Sequence, residues 1–173
     1  MKRGTTHAGA APTALAEIAC ACATARQVAR LFTQLYDGWL SETGLEAPQF
    51  ALLMTLDAHG AISQAALGRR YALDKTTMSR NLKLFERKGW IAESRADDKR
   101  ERRFAITAAG HARLAAARPR WKKAQDHLRG GMTAKQWHTM FETFRTAARA
   151  AQVAPRFKKP AGGRKNHGSR ISG

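Results

Sequence analysis

The sequence predicts a mainly α-helical fold: a winged helix-turn-helix with a small β-hairpin wing, flanked by N- and C-terminal dimerisation helices. Three observations predict it. Residues 62–107, ISQAALGRRYALDKTTMSRNLKLFERKGWIAESRADDKRERRFAIT, parse into a short helix, a turn, a longer helix and two strands around a polar loop. The stretches on either side repeat apolar residues at intervals of three and four, the period of an amphipathic helix. The formal charge of +18 over 173 residues exceeds what solubility needs and predicts attraction to a polyanion, nucleic acid before an acidic membrane surface.

Residues 1–11, rich in Gly, Ala and Thr, are expected to be a flexible leader. Over residues 13–43, Ile18, Cys22, Ala25, Ala29, Phe32, Tyr36 and Leu40 recur on one helical face. A helix that long cannot bury its stripe against a small head alone, so residues 12–47 are assigned to dimerisation. Gly44 closes this helix. Pro48 opens the next, over residues 49–58, which turns Phe50, Leu53 and Leu56 beneath the head before His59 and Gly60 end it.

Residues 48–107 form the head. A short helix over 64–70 and a turn over 71–73 lead to a helix over 75–88. Asp74 is placed to cap the free amides of its first turn, Arg87 and Lys88 suit its carbonyl end, and Gly89 supplies the left-handed residue that terminates many helices. With Met78, Leu82 and Phe85 turned inward, Lys75, Thr76, Thr77, Ser79, Arg80 and Lys83 face outward. Hydroxyl and cationic donors of this kind read base edges and phosphates when a helix lies in the major groove. Strands over 90–94 and 102–106 follow, joined by RADDKRE, where Asp98 stands two residues from Arg100 and can orient its guanidinium for a narrow minor groove. From Ser63 to Arg103 there are twelve Lys or Arg against six acids, an excess on the proposed contact surface.

Thr107 can cap a helix over residues 108–128, in which Pro119 predicts a kink and not a stop. Gly130 and Gly131 interrupt it, Thr133 can cap a last helix, and Trp137, Met140, Phe141 and Phe144 give that helix an apolar face. Residues 108–152 are therefore assigned to dimerisation too. Residues 153–173 hold six Lys or Arg and no acid, with the Pro and Gly of a disordered tail.

These residues resemble the MarR-type winged-helix transcriptional regulators. The resemblance runs over about residues 28–149 and rests on LEAPQFALLMTLDAHG, on the helix-turn-helix, on FERKGWI, and on DKRERRFAIT followed by AAG, a D-x-R wing ahead of a T-x-x-G turn. Ile106 stands for the usual leucine and Ala108 for a common acidic residue. The resemblance implies interdigitated terminal helices and a homodimer offering two winged heads to a roughly palindromic double-stranded DNA operator, with Arg100 as wing arginine, Asp98 its anchor, and repression the expected sign. The competing expectation is a non-specific architectural nucleic-acid-binding protein using the same charge.

A regulator of this design needs a switch, and two candidates stand out. One branch of the family senses organic hydroperoxides through a cysteine steadied by tyrosines; the resemblance places Cys22 on that cysteine and Tyr36 on one tyrosine, with Arg26 and Ala47 at the other two positions. Arg26, one helical turn from Cys22, could favour the thiolate by its charge. Plain packing is the alternative. The second candidate is a pocket for a small aromatic or phenolic effector, lined by Trp39, Phe50 and Met54 with Arg26; each of these residues also fits a core.

Other classes find little footing. Cys20 and Cys22, two apart on one expected helix, point roughly 200° apart and make no disulfide framework. The six histidines are scattered without metal-ligand spacing, and no phosphate loop or nucleophile motif is present. No metal, cofactor or enzymatic activity is expected. No apolar run approaches the roughly 18–20 residues of a membrane span, and the N-terminus lacks a secretory signal's apolar stretch, so a cytoplasmic protein without a membrane partner is expected.

Overall fold

Short-range caps fix where most helices begin, and those starts position the head. The computed structural model describes residues 20–94 and 101–152. The expected leader, the tail, and the wing residues Asp98 and Arg100 lie outside the described residues.

Helix α1 spans Ala21–Leu40 and runs into a 3-10 turn at Ser41–Thr43, closed by Gly44 at φ +67°. Cys20 precedes it in extended conformation, so the expected placement of both cysteines within one helix is corrected: Cys20 is the N-cap and Cys22 lies in the first turn. Helix α2, Ala47–His59, starts two residues earlier than expected because Glu46 and Gln49 form a reciprocal capping box, and because Ala47 N donates to Asp37 Oδ1 at 2.6 Å. Pro48 therefore sits just inside the start, where its missing amide hydrogen has no partner to lose.

Ile62–Ser63 make a two-residue strand, β1, and Ser63 Oγ then accepts from Ala66 N at 3.2 Å to start α3, Gln64–Arg70. Ala72 at φ +51° turns the chain into α4, Lys75–Arg87, which Asp74 caps. Gly89 follows at φ +68°, as the sequence requires. Strands β2, Ile91–Ser94, and β3, Arg103–Ile106, are antiparallel, with Ile91 opposite Ile106 and Ser94 opposite Arg103. The wing is not a two-stranded ribbon: β1 adds to the other edge of β3, giving the order β1-β3-β2. Trp90 stays outside β2, since its N–H donates to Phe85 O and its carbonyl accepts from Thr107 N, both at 3.0 Å.

Thr107 joins the sheet to α5, Ala108–Gly130. Its hydroxyl donates to Gly89 O at 2.6 Å and accepts from Gly110 N at 3.1 Å. The T-x-x-G spacing thus has a local cause, a cap tied to the preceding turn and a glycine that lets α5 pass over Trp90. Helix α5 is helical through Pro119, which is not a stop.

The core lies beneath α4 and the sheet. Leu53, Leu56, Leu67, Met78, Leu82, Phe85, Ile91, Phe104 and Leu114 are all buried, and Phe85 meets Trp90 edge-on at 5.6 Å. Residues from Arg129 onward form a separate unit containing α6, Ala134–Gln152. Thr133 and Gln136 cap α6 reciprocally: Thr133 N donates to Gln136 Oε1 at 2.8 Å and Gln136 N to Thr133 Oγ1 at 3.2 Å. No residue of α6 is buried, and in α1 only Leu40 is.

Candidate nucleic-acid interface

Helix α4 owes its outer face to its periodicity. Met78, Leu82 and Phe85 enter the core, which leaves Lys75, Thr76, Arg80 and Lys83 exposed with Ser79 half-buried between them. These five residues line one open, shallow concavity of about 410 Å³, and among the described residues no acidic side chain borders it. Among the described residues none of the three cations pairs with a carboxylate. Thr77 takes a different role: its N–H donates to Asp74 Oδ1 at 2.9 Å and its hydroxyl to Asp74 Oδ2 at 2.8 Å. The hydrogen bonds from the Thr77 backbone and hydroxyl hold the Asp74 carboxyl below its ordinary range. The Asp74 negative charge at this amino end faces the helix dipole and the Thr77 donors, while the cations one and two turns on stand free of it.

The ends of the wing frame this face. Arg102 Nε and Nη2 both donate to Glu93 Oε2, at 3.0 and 2.8 Å, and Arg103 Nη2 donates to Ala61 O at 2.7 Å. Arg102 was not singled out from the sequence, because its partners lie nine and sixteen residues away on other elements.

The candidate sensing residues are spread along one helix. Cys20 and Cys22 are exposed free thiols. Tyr36 lies fourteen positions after Cys22 on α1, roughly 21 Å along the axis at the helical rise. Within one chain it cannot steady the Cys22 thiol, and burial raises its own phenol pKa. Arg26 is exposed one turn from Cys22.

The expected pocket is also redrawn. A cavity of about 470 Å³ between α1, α2, the α3–α4 turn and α5 does include Phe50 and Met54, together with Tyr36, Tyr71, Trp121 and Gln125. Phe50 and Trp121 stack at 5.7 Å. Trp39 borders a different surface hollow beside Glu42 and Arg120, and Arg26 borders neither. Among the described residues no Lys or Arg lines the cavity, whereas the buried Gln125 Oε1 has no hydrogen-bond partner. The wall therefore asks for a donor, and the one basic side chain among its described lining residues is His59. Tyr71, Trp121 and Gln125 come from remote parts of the chain, so no local pattern could have found them.

Comparison with known proteins agrees with the fold. The model of the MarR family matches residues 43–101. An uncharacterized HTH-type transcriptional regulator of Bacillus subtilis (strain 168), YwoH, is 28% identical over 81 residues; the match spans 47% of this chain and 59% of that relative. The M. tuberculosis transcriptional regulator MosR, solved in complex with DNA, is 30% identical, with a TM-score of 0.67, and the alignment covers 78% of this chain and 99% of MosR. The chain belongs to the MarR family. A MarR-family chain of this kind is a winged helix-turn-helix DNA-binding transcriptional regulator and not an enzyme. PcaV of Streptomyces coelicolor, solved with its natural ligand, shares the MarR fold at a TM-score of 0.69 and 23% identity, covering 77% of this chain and 94% of PcaV. No described helix of this MarR-family chain is long and apolar enough to cross a membrane, and no described cluster of His, Cys, Asp and Glu could hold a metal ion.

Proposed function

We propose that this protein acts as a homodimer in the cytoplasm, binds a roughly palindromic operator sequence-specifically, represses transcription from it, and is released by a small ligand. One observation carries the DNA reading. The outer face of α4 sets Lys75, Thr76, Ser79, Arg80 and Lys83 around a concavity that no acid among the described residues borders, at the leading end of a firmly capped helix. Cations supply phosphate affinity there, and hydroxyl and guanidinium donors supply base discrimination. That its relative MosR was solved in complex with DNA supports the DNA reading. Arg100, with Asp98 as its anchor, is assigned to the minor groove beside it. The dimer reading rests on apolar surface left open on each terminal helix: Leu31 on α1 is 48% exposed, and Phe141 and Phe144 on α6 are 39% and 46% exposed. Groups of that size in water call for a partner surface.

The test is a challenge with competitor. Footprinting on a site selected from random DNA, at moderate salt, should keep its protection under a large excess of unrelated duplex. Loss of protection in proportion to competitor would instead assign the protein to the non-specific, architectural class, where the +18 charge alone governs binding.

The cavity of Phe50, Met54, Tyr71, Trp121 and Gln125 is the effector site we favour, and its chemistry changes the expected ligand. Stacked aromatic walls and an unpaired buried acceptor suit a neutral aromatic carrying an N–H or O–H donor, and Arg26, expected beside it, does not line it. Indole and benzoate distinguish the two by calorimetric titration: indole should bind and benzoate should not. Oxidation at Cys22 is a second route only if Tyr36 comes from the other copy, given their separation along α1.

A further inference from the structure

We propose that Arg102 is a positioning residue that fixes the angle between the wing strands and the reading helix, and that it works through Glu93 and Glu86 without contacting DNA itself. The inference rests on the DNA-binding reading above.

The Arg102 side chain reaches two elements at once. Its Nε and Nη2 both donate to Glu93 Oε2 on β2, at 3.0 and 2.8 Å, and the same Nη2 stands 3.6 Å from Glu86 Oε1 on α4. The guanidinium carbon lies 5.0 Å from the centroid of the Phe104 ring, whose own side chain is fully buried in the core. The Arg102 carbonyl accepts from Gln64 N, the first residue of α3, at 3.0 Å. One residue therefore joins the outer strand of the wing, the reading helix, the buried centre of the sheet and the start of the helix-turn-helix. Hydrogen bonding to Arg102 lowers the Glu93 carboxyl below its usual range, as expected of a carboxylate held in place.

Geometry explains why such a clamp is needed. β2 is an edge strand of four residues paired with β3 alone, and an edge that short twists and pivots readily. Arg102 links that strand to α4, meeting Glu93 on β2 and Glu86 on α4. A guanidinium with two donors on Glu93 and an ion pair to Glu86 is also poorly placed to serve a phosphate. An Arg102 that reached for DNA would have to leave Glu93 and set the strand free.

The sign of one substitution separates positioning from direct contact. Glu93→Gln removes a negative charge beside a polyanion's site, so electrostatics alone predicts tighter binding, and a phosphate-seeking Arg102 released from Glu93 predicts the same. The clamp predicts the opposite. Fluorescence anisotropy on the selected operator should show Glu93→Gln and Arg102→Ala each weakening binding about two- to fivefold, the scale of a well-formed but partly exposed pair. The swapped pair Glu93→Arg with Arg102→Glu, made in a Glu86→Gln background to remove the carboxylate that would repel it and compared with Glu86→Gln alone, should recover most of the loss, and in the single variants hydroxyl-radical protection should fade at the wing's positions while that of α4 persists. Melting temperatures close to wild type are expected for both exposed-residue variants. Unchanged or tighter binding by Glu93→Gln, or no recovery in the swapped pair, overturns the assignment. Failure of the wild-type chain to select any operator would count against the DNA-binding reading instead.

Discussion

Gly110 is the position where a single methyl group should do most damage. A Cβ built there would lie 2.1 Å from Trp90 O, 2.7 Å from Ile106 Cγ1 and 3.0 Å from Trp90 C. The nearest atom is a backbone carbonyl, and it already accepts from Thr107 N at 3.0 Å, so it can retreat only by opening the joint between sheet and α5. Overpacking of this kind costs about 1–3 kcal/mol. Weakening the Thr107 bond adds about 1 kcal/mol, and the better helix propensity of alanine returns at most about 1 kcal/mol. Gly110→Ala should therefore lose about 2 kcal/mol, and with it roughly 4–8 °C of melting temperature for a chain of this size. Thermal denaturation followed by circular dichroism measures this directly. Gly130→Ala is the control, because nothing lies within 4 Å of its Cβ position, and it should be close to neutral. If Gly110→Ala melts with wild type, the account of the T-x-x-G turn is wrong.

Three further expectations use the same geometry. Arg80→Ala should cost roughly 1–3 kcal/mol of operator binding and relax sequence preference at one position, whereas Lys83→Ala should weaken all duplexes alike and reduce the salt slope by about one; salt titrations on matched and mismatched sites tell them apart. The Asp74 pKa is lower folded than unfolded, so its contribution to stability is present above the unfolded carboxylate range and is lost as pH falls through the folded value. Acid melts should show Asp74→Ala converging on wild type in that window, and a constant difference between them at every pH would contradict the cap. Phe144→Glu, at an exposed apolar site on α6, should lower the mass seen in sedimentation equilibrium while leaving helicity unchanged.

Much of the head could be read from its residues because its signals are local. Asp74 and Gly89 act within four residues of their own positions, and the inward set Met78, Leu82 and Phe85 follows from one helical period. What escaped the sequence depends on distance. Strand β1 is two residues long, too short to show alternation, and exists because β3 offers it an edge. Thr77 looks like an outward donor until Asp74 claims its hydroxyl. Trp39 and Phe50 are equally apolar on paper, but only Phe50 meets Trp121, seventy-one positions on, to make a cavity wall. Cys22 and Tyr36 fall on one expected stripe, yet helical rise keeps them apart. The Arg102 fork needed three elements brought together before it could be recognised.

The central claim is that two copies of this chain present the outer faces of α4 to successive turns of one duplex. Hydroxyl-radical footprinting on the selected operator, with the bound stoichiometry measured in parallel, tests it most directly. The account predicts two chains per site and two protected segments related by a dyad, with centres about 10 base pairs apart or a multiple of that. A single unsymmetrical protection by one chain, or protection that spreads along the duplex as protein is added, would contradict it.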